Sequence, residues 1–310
     1  MQNEVNTVYI ICGATAVGKT AFAVALAKKL ATEIISADSR QCFRELGIAV
    51  AKPSLQELNR VTHHFINSHS IEEGMSAGKF EQYALEKVTT ILQNHSTAVM
   101  VGGTGLYLKA FCEGIDEMPK IPPLIRENIV QEYTNKGLTW LQKEVAEKDP
   151  LFWQSSEQEN PQRLIRALEM IRTTGISITE FRKSEKKTRP FRIVKIGLEL
   201  PRELLNQRID QRVDIMLQNG LVEEARELLS HKKNNALQTV GYQELFDYFE
   251  GKIELKSAID QIKLHTRQYA KRQMTWFKKD PAIKWFDARN ISVENVRSEG
   301  LRVMRDAYKT

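Results

Sequence analysis

The sequence predicts an α/β fold, a parallel sheet with helices on both faces, interrupted by an all-helical insertion. Three observations carry this prediction. Short apolar runs alternate with helical patterns through the first third of the chain. After Pro119, Pro122 and Pro123 the alternation gives way to helical patterns alone. An apolar run at 193–200 then restores the strand pattern. Strands buried on both faces read as continuous apolar runs, and crossover helices make such sheets parallel.

Residues 8–11 form the first strand and stop at Gly13. An Ala/Leu/Phe-rich helix follows at 19–31, then a brief strand at 34–37 that ends at Asp38. Residues from there to about 74 are polar without a strong period. A helix is predicted at 77–93, and a third strand at 98–101 runs into Gly102-Gly103-Thr104-Gly105. Residues 106–111 are helical in pattern. Three further helices are predicted at 124–135, 139–148 and 161–174. The last is bounded by Asn160 as N-cap, Pro161 at its first position and Gly175 past its end. A charged linker spans 182–192. After the strand at 193–200 come helices near 202–219, 221–230, 243–249 and 255–278. The expected organisation is a catalytic core from 1–115 and 190–310, with a helical insertion at 116–189. No internal repeat is visible.

With 310 residues, 42% hydrophobic and 27% charged, the composition excludes a disordered or fibrous chain. No apolar run approaches the ~20 residues of a membrane span, so no membrane association is expected. Residues 1–7 lack the basic start of a signal peptide. Cys12, Cys42 and Cys112 have neither metal-ligand spacing nor a disulfide framework, which argues for a reducing cytoplasm and against a cysteine-based zinc module. The charge is uneven. Residues 1–115 balance at 10 basic and 10 acidic side chains, whereas 160–195 carry 10 basic against 3 acidic. That excess suits a polyanionic partner as well as it suits a solvated surface.

Gly13-Ala14-Thr15-Ala16-Val17-Gly18-Lys19-Thr20 fits the P-loop pattern G-x-x-x-x-G-K-[ST], preceded by a strand and followed by a helix. The core is therefore expected to be P-loop NTPase-like. Glycines let backbone amides turn inward as an anion nest, and the helix directs its positive end at the same point. Lys19 adds a point charge, and the Thr20 hydroxyl can ligate Mg2+. The strand at 98–101 ends in glycines rather than the carboxylate common in nucleotide hydrolases. Asp38 ends the other strand, at the carboxyl edge where ligands of such sheets bind. Two roles stand open for it on spacing alone: water-mediated magnesium ligation or N-capping, and general base.

Further motifs occur in a fixed order. They are Asp38-Ser39-Arg40-Gln41, Ala51-Lys52-Pro53, His63-His64, Gly102 to Tyr107, Pro161 to Glu169, Val240-Gly241-Tyr242 and Thr266 to Trp276. In this order they resemble the tRNA dimethylallyltransferase family, in its short bacterial form without a C-terminal zinc finger. The resemblance covers about residues 8–286. It implies transfer of a dimethylallyl group from dimethylallyl diphosphate to N6 of the adenosine 3′-adjacent to the anticodon. In that reading the P-loop holds diphosphate, with Mg2+ at Thr20. Asp38 becomes the general base, Thr104 lies near the reacting amine, and Arg212 closes over the phosphates. Arg208, one turn earlier, competes for that last role, and both arginines could instead pair with Asp210 or Glu203.

The resemblance also implies tRNA anticodon stem-loop contacts at Asp38, Ser39, Arg40, Gln41, Thr104, Arg126, Gln162, Arg163, Leu164, Ile165, Arg166, Gly241, Tyr242, Gln243, Arg267 and Lys271. A cytoplasmic monomer is expected. Arg163 and Arg166 share a face of their helix and suit phosphates. On the last long helix, Ile259, Ile262, Thr266, Tyr269, Gln273 and Phe277 recur at helical spacing, so Tyr269 and the neighbouring Trp276 read as core. His63-His64 reads as structural or as pocket hydrogen bonding, because adjacent histidines point to different sides. Asn67 departs from the acid common in the family. A prenyltransferase for free adenosine nucleotides would share the P-loop, Asp38 and Thr104 but has no need of the basic insertion. A small-molecule kinase could use the same cradle and an Asp at the second strand, though the missing carboxylate after the strand at 98–101 disfavours it, and a non-catalytic RNA-binding module has no use for a P-loop.

Overall fold

A computed structural model describes residues 5–155, 158–183, 185–294 and 296. In chain order the elements are β1 (Thr7–Gly13), α1 (Lys19–Lys29), β2 (Ile34–Ser36), α2 (Leu55–Arg60), β3 (His63–His64), α3 (Ala77–Asn94), β4 (Thr97–Val101) and α4 (Gly105–Glu113). Next come α5 (Pro123–Lys148), α6 (Pro150–Ser155), α7 (Pro161–Thr174) and α8 (Ile178–Phe181). The chain continues with β5 (Arg192–Glu199), α9 (Arg202–Gln218), α10 (Leu221–Glu227), α11 (Tyr242–Phe249), α12 (Leu255–Phe277) and β6 (Ile283–Asp287). Residues up to Cys112 and from Thr188 onward form one compact unit, and Glu113–Lys187 form a second.

The first unit is the expected α/β core. Six parallel strands lie in the order β3-β2-β4-β1-β5-β6. Every residue of β1 is buried, as a central strand covered on both faces requires. Its side chains alternate between two apolar layers. Val8 and Ile10 join Ile35, Met100 and the inner face of α3. Tyr9 and Ile11 join Ile34, Val99, Val101 and the α1 residues Phe22, Ala23 and Leu26. The register sets Ile11 beside Val101 and Gly13 beside Leu198. The carboxyl ends of β1, β2 and β4 are thereby brought to one edge.

Three elements of this unit escape the sequence reading: α2, β3 and β6. β3 has two residues, too few to show a period, and α2 buries no side chain. β6 is an edge strand whose first residue alone is buried.

The second unit is all-helical. α5 is interrupted at Gly137, where φ is 77°, so two helices predicted there meet at a glycine kink. α7 has the expected bounds. The Asn160 side chain accepts the Arg163 N–H, and Gly175 takes φ 72° after the last turn. The core of this unit is Ile129, Leu141, Val145, Phe152, Leu164, Ile165, Leu168 and Met170. Among the described residues no helix is long and apolar enough to cross a membrane.

Gly102 tests the sheet edge. A Cβ there would lie 2.1 Å from the Ala37 carbonyl oxygen, a backbone atom that cannot move aside cheaply. Gly102→Ala is expected to cost about 1–3 kcal/mol by overpacking, read as a lower urea midpoint. An unchanged midpoint would mean that the edge is not closely packed.

Candidate active site

The P-loop bends as its sequence requires. Ala16 has φ 63° and Gly18, immediately before α1, has φ 108°. Left-handed residues among right-handed ones turn successive amides to one side and make a nest for an anion. Lys19 Nζ donates to the Ala14 carbonyl at 2.7 Å. Burial and the nearby Arg212 charge lower its pKa to about 8, with Asp38 opposing them.

Two arginines of α9, Arg208 and Arg212, reach this loop. Arg212 donates to Thr15 Oγ1 at 3.3 Å and Arg208 to the Val17 carbonyl at 3.4 Å. Neither is paired with Asp210, which instead holds Arg267 through two contacts of 2.9 Å. Burial lowers the Arg212 pKa, with Glu57 the one opposing charge. The expected choice between the two arginines gains a geometric difference, because Arg212 lines the cavities described below together with Asp38.

Asp38 follows β2. Its Oδ1 accepts the N–H groups of Arg40 at 2.9 Å and Gln41 at 3.2 Å, an Asx turn that fixes the carboxylate. Thr104 joins it from the β4–α4 turn. The Thr104 N–H meets the Ala37 carbonyl at 3.3 Å, and its Oγ1 accepts the Ser39 N–H at 3.0 Å. The Thr104 hydroxyl also reaches Ser39 Oγ at 3.3 Å.

Two cavities adjoin here and share Thr15, Asp38, Val50, Ala51, Arg212 and Tyr269. One is polar and adds Gly18, Lys19, Thr20, Ser36 and His63. The other has an apolar wall of Val213, Met216, Leu221, Val240 and Ile262, with Arg40 and Gly241 at its polar side. His63 donates from Nδ1 to the Val61 carbonyl at 2.8 Å, while His64 turns the other way to Glu33. No group of three His, Cys, Asp or Glu side chains forms a metal cluster among the described residues. Burial pushes the Cys12 and Cys42 thiols up to about 12, so neither supplies a thiolate.

The structure places the residues expected to contact tRNA in different settings. Leu164 and Ile165 are 0% and 2% exposed in the core of the helical unit, so their side chains offer RNA no surface. Tyr242 is also fully buried, and its hydroxyl donates to Glu224 at 2.8 Å. Glu224 in turn accepts the N–H groups of Ile48 and Ala49, so this tyrosine fixes the 47–51 loop. Arg126 and Arg166 both bind the buried carboxylate of Glu169. Gln162, Arg163, Gln243 and Lys271 are exposed. Tyr269 and Trp276, expected in the core, are 37% and 42% exposed, whereas Phe277 is buried.

The sequence reading missed the function of Gln273. This buried side chain lies between the P-loop and the β4–α4 turn, with bonds to the Thr15 N–H and the Gly103 carbonyl. Its one visible signal was a polar residue on the apolar face of α12.

Strand, glycine loop and helix on a six-stranded parallel sheet make a P-loop-like fold. Residues 41–280 match the family model described as IPP transferase, and the chain belongs to that family of enzymes. It is 50% identical over 277 residues to the tRNA dimethylallyltransferase of Christiangramia forsetii, covering 89% of this chain and 92% of that relative. It is 44% identical over 285 residues to that of Cytophaga hutchinsonii, covering 92% and 94%. Among solved structures, the tRNA isopentenylpyrophosphate transferase of Bacillus halodurans aligns with TM-score 0.71 and 32% identity, over 98% of this chain and 97% of that one. A eukaryotic dimethylallyltransferase acting on tRNA aligns with TM-score 0.75 and 27% identity, over 91% and 74%.

The lowered Lys19 pKa has a kinetic signature. The ammonium is present below about 8 and lost above it. The kcat/KM for a phosphate-bearing donor is expected to fall above pH 8, approaching about tenfold per pH unit. Arg212→Ala removes a neighbouring positive charge and should move that fall to higher pH. A profile flat from about pH 7 to 9.5 would remove Lys19 from donor binding.

Proposed function

We propose that the chain transfers the dimethylallyl group of dimethylallyl diphosphate to N6 of the adenosine 3′-adjacent to the tRNA anticodon, with Asp38 as general base and the P-loop holding the leaving diphosphate. Dimethylallyl transfer to tRNA is the activity named for the relatives. The observation that carries the finer reading is the pair of adjoining cavities. A polar one at the P-loop suits a diphosphate, and an apolar one suits a branched five-carbon group, with Asp38 and Arg212 at both.

The chemistry follows from charge. As the allylic C–O bond breaks, its electron pair leaves with diphosphate, and positive charge develops on the allyl carbon. The nest amides, Lys19 and Arg212 stabilise the departing anion. The adenine amine is weakly nucleophilic because its lone pair is conjugated with the ring. Its proton becomes acidic as the C–N bond forms, and the fixed Asp38 carboxylate accepts it. The Thr104 hydroxyl, held to Ser39 beside Asp38, orients the incoming amine or the diphosphate.

Thr20 and Asp38 face the polar cavity together, a sparse oxygen donor set that fits Mg2+ shared with substrate phosphates. When bound there, the ion would neutralise charge on the diphosphate.

Reaching N6 requires drawing the base from its stack. Gln162 and Arg163 at the start of α7 offer an exposed amide and guanidinium to RNA. Arg40 offers a polar group beside Asp38 and Gln243 an exposed amide, whereas the Gln41 side chain is committed to Ser36 and to the Val50 and Ala51 carbonyls. Lys271 supplies an exposed charge on α12.

The reading is tested by incubating the protein with Mg2+, dimethylallyl diphosphate and unmodified tRNA and weighing the RNA. The RNA should gain one dimethylallyl unit. Asp38→Ala should lose about 10²–10⁴ in rate while still binding tRNA. Retained transfer in that variant would exclude Asp38 as the base, and phosphate transfer from ATP instead would favour a kinase. For the helical unit, Arg163→Ala is expected to weaken tRNA binding and reduce the salt slope by about 1. An unchanged slope would remove the phosphate contact.

A further inference from the structure

Gln273 joins two loops that the proposed chemistry needs in register. Its side-chain carbonyl accepts the Thr15 N–H at 2.8 Å, and its amide donates to the Gly103 carbonyl at 2.9 Å. The side chain is 6% exposed, so water does not substitute for either partner. Thr15 belongs to the nest. Gly103 precedes Thr104, which holds the Ser39 N–H beside Asp38. One amide therefore spans from the phosphate cradle to the carboxylate side of the site.

The chemistry of the two partners restricts the residue. A backbone N–H demands an acceptor and a backbone carbonyl demands a donor, and a primary amide carries both at one reach. A carboxylate cannot donate, an ammonium cannot accept, and a thioether donates nothing. Gly103 completes the fit, because a Cβ there would lie 2.2 Å from the Gln273 Nε2. One turn further along α12, the Trp276 ring lies so close to Gly105 that a Cβ on that glycine would meet it at 2.3 Å. The helix is thus seated twice on the β4–α4 turn.

We infer that Gln273 is a positioning residue, setting the separation between the diphosphate cradle and the Asp38–Thr104 pair. It also engages the Thr15 amide, while the Thr15 hydroxyl accepts from Arg212. This role rests on the P-loop being the diphosphate cradle. A misplacement of about 1 Å between donor carbon and acceptor amine can cost roughly 10² in rate, with little effect on how tightly either substrate binds.

The experiment compares Gln273→Met and Gln273→Glu with wild type, using dimethylallyl diphosphate and unmodified tRNA at each pH from about 5.5 to 8.5, after thermal melts establish that each variant is folded. Met keeps the volume and removes both bonds. Its kcat should fall about ten- to hundredfold at every pH, with KM for tRNA within about twofold of wild type. Glu supplies only the acceptor when ionised, but when protonated it also donates. Its kcat relative to wild type should therefore rise as pH falls, while the Met ratio stays flat. A Glu ratio that does not change with pH, or a Met variant with wild-type kcat, overturns the positioning role. Lys19→Ala, measured in parallel for donor affinity, tests the cradle separately. Unchanged donor affinity there sinks the cradle reading, whereas weakened affinity with a pH-flat Glu ratio sinks the positioning role alone.

Discussion

The site depends on how closely three strand ends approach one another. β1, β2 and β4 are adjacent and parallel, so their carboxyl ends open on the same edge. Gly102 lies against the Ala37 carbonyl and Gly13 against the Leu198 carbonyl, at distances that exclude a side chain on either glycine. The Ala37 N–H reaches the Val101 carbonyl at 2.7 Å and extends the sheet to the residue before Asp38. The P-loop, Asp38 and Thr104 are then side by side because the backbone has no room to place them elsewhere. Parallel α/β sheets bind ligands at this edge because helix amino ends and loop amides gather there.

The second constraint is electrostatic. Lys19, Arg208 and Arg212 converge on one loop, and the contacts of all three with it go to carbonyl or hydroxyl oxygens. Burial lowers the pKa of both Lys19 and Arg212, and the Arg212 charge lowers that of Lys19 further, so these two cations are costly to hold. A polyanion, as in the proposed reading, would relieve that cost. The same cluster makes weak provision for a neutral ligand. Asp38 is the counter-charge nearest in effect, but its Oδ1 is committed to two backbone amides, so it stays fixed at the cavity wall.

Features defined by local chemistry were legible in the sequence. The P-loop, Asp38 at a strand end, and α7 with Asn160 and Gly175 depend on residues a few positions apart. Features defined by distant partners were not. Gln273 meets Thr15 from 258 positions away, and its place on the apolar face of α12 signals burial without naming the partner. Arg126 meets Glu169 across 43 positions, so a pair of arginines expected to face RNA proved to share a carboxylate. Tyr269 has the spacing of a core residue but lines both cavities, and Trp276 lies against Gly105 with 42% of its surface exposed. β3 and β6 become strands by pairing at the sheet edges, and pairing is invisible to a one-dimensional pattern.

The motif from Pro161 to Glu169 shows why resemblance alone does not sort contacts from supports. Leu164 and Ile165 are motif residues whose side chains build the core of the helical unit. Glu169 is buried, and Arg126 and Arg166 hold it from a second helix and from its own. Yet those arginines remain 52% and 38% exposed. A guanidinium has five N–H donors, and one carboxylate uses a fraction of them. The buried Glu169 therefore fixes two planar cations at the surface with their rotamers settled. Such a fork loses less conformational entropy on meeting a phosphate than a free arginine does. Arg163, at the start of the same helix, is exposed, so one short motif mixes buried supports with surface basic groups.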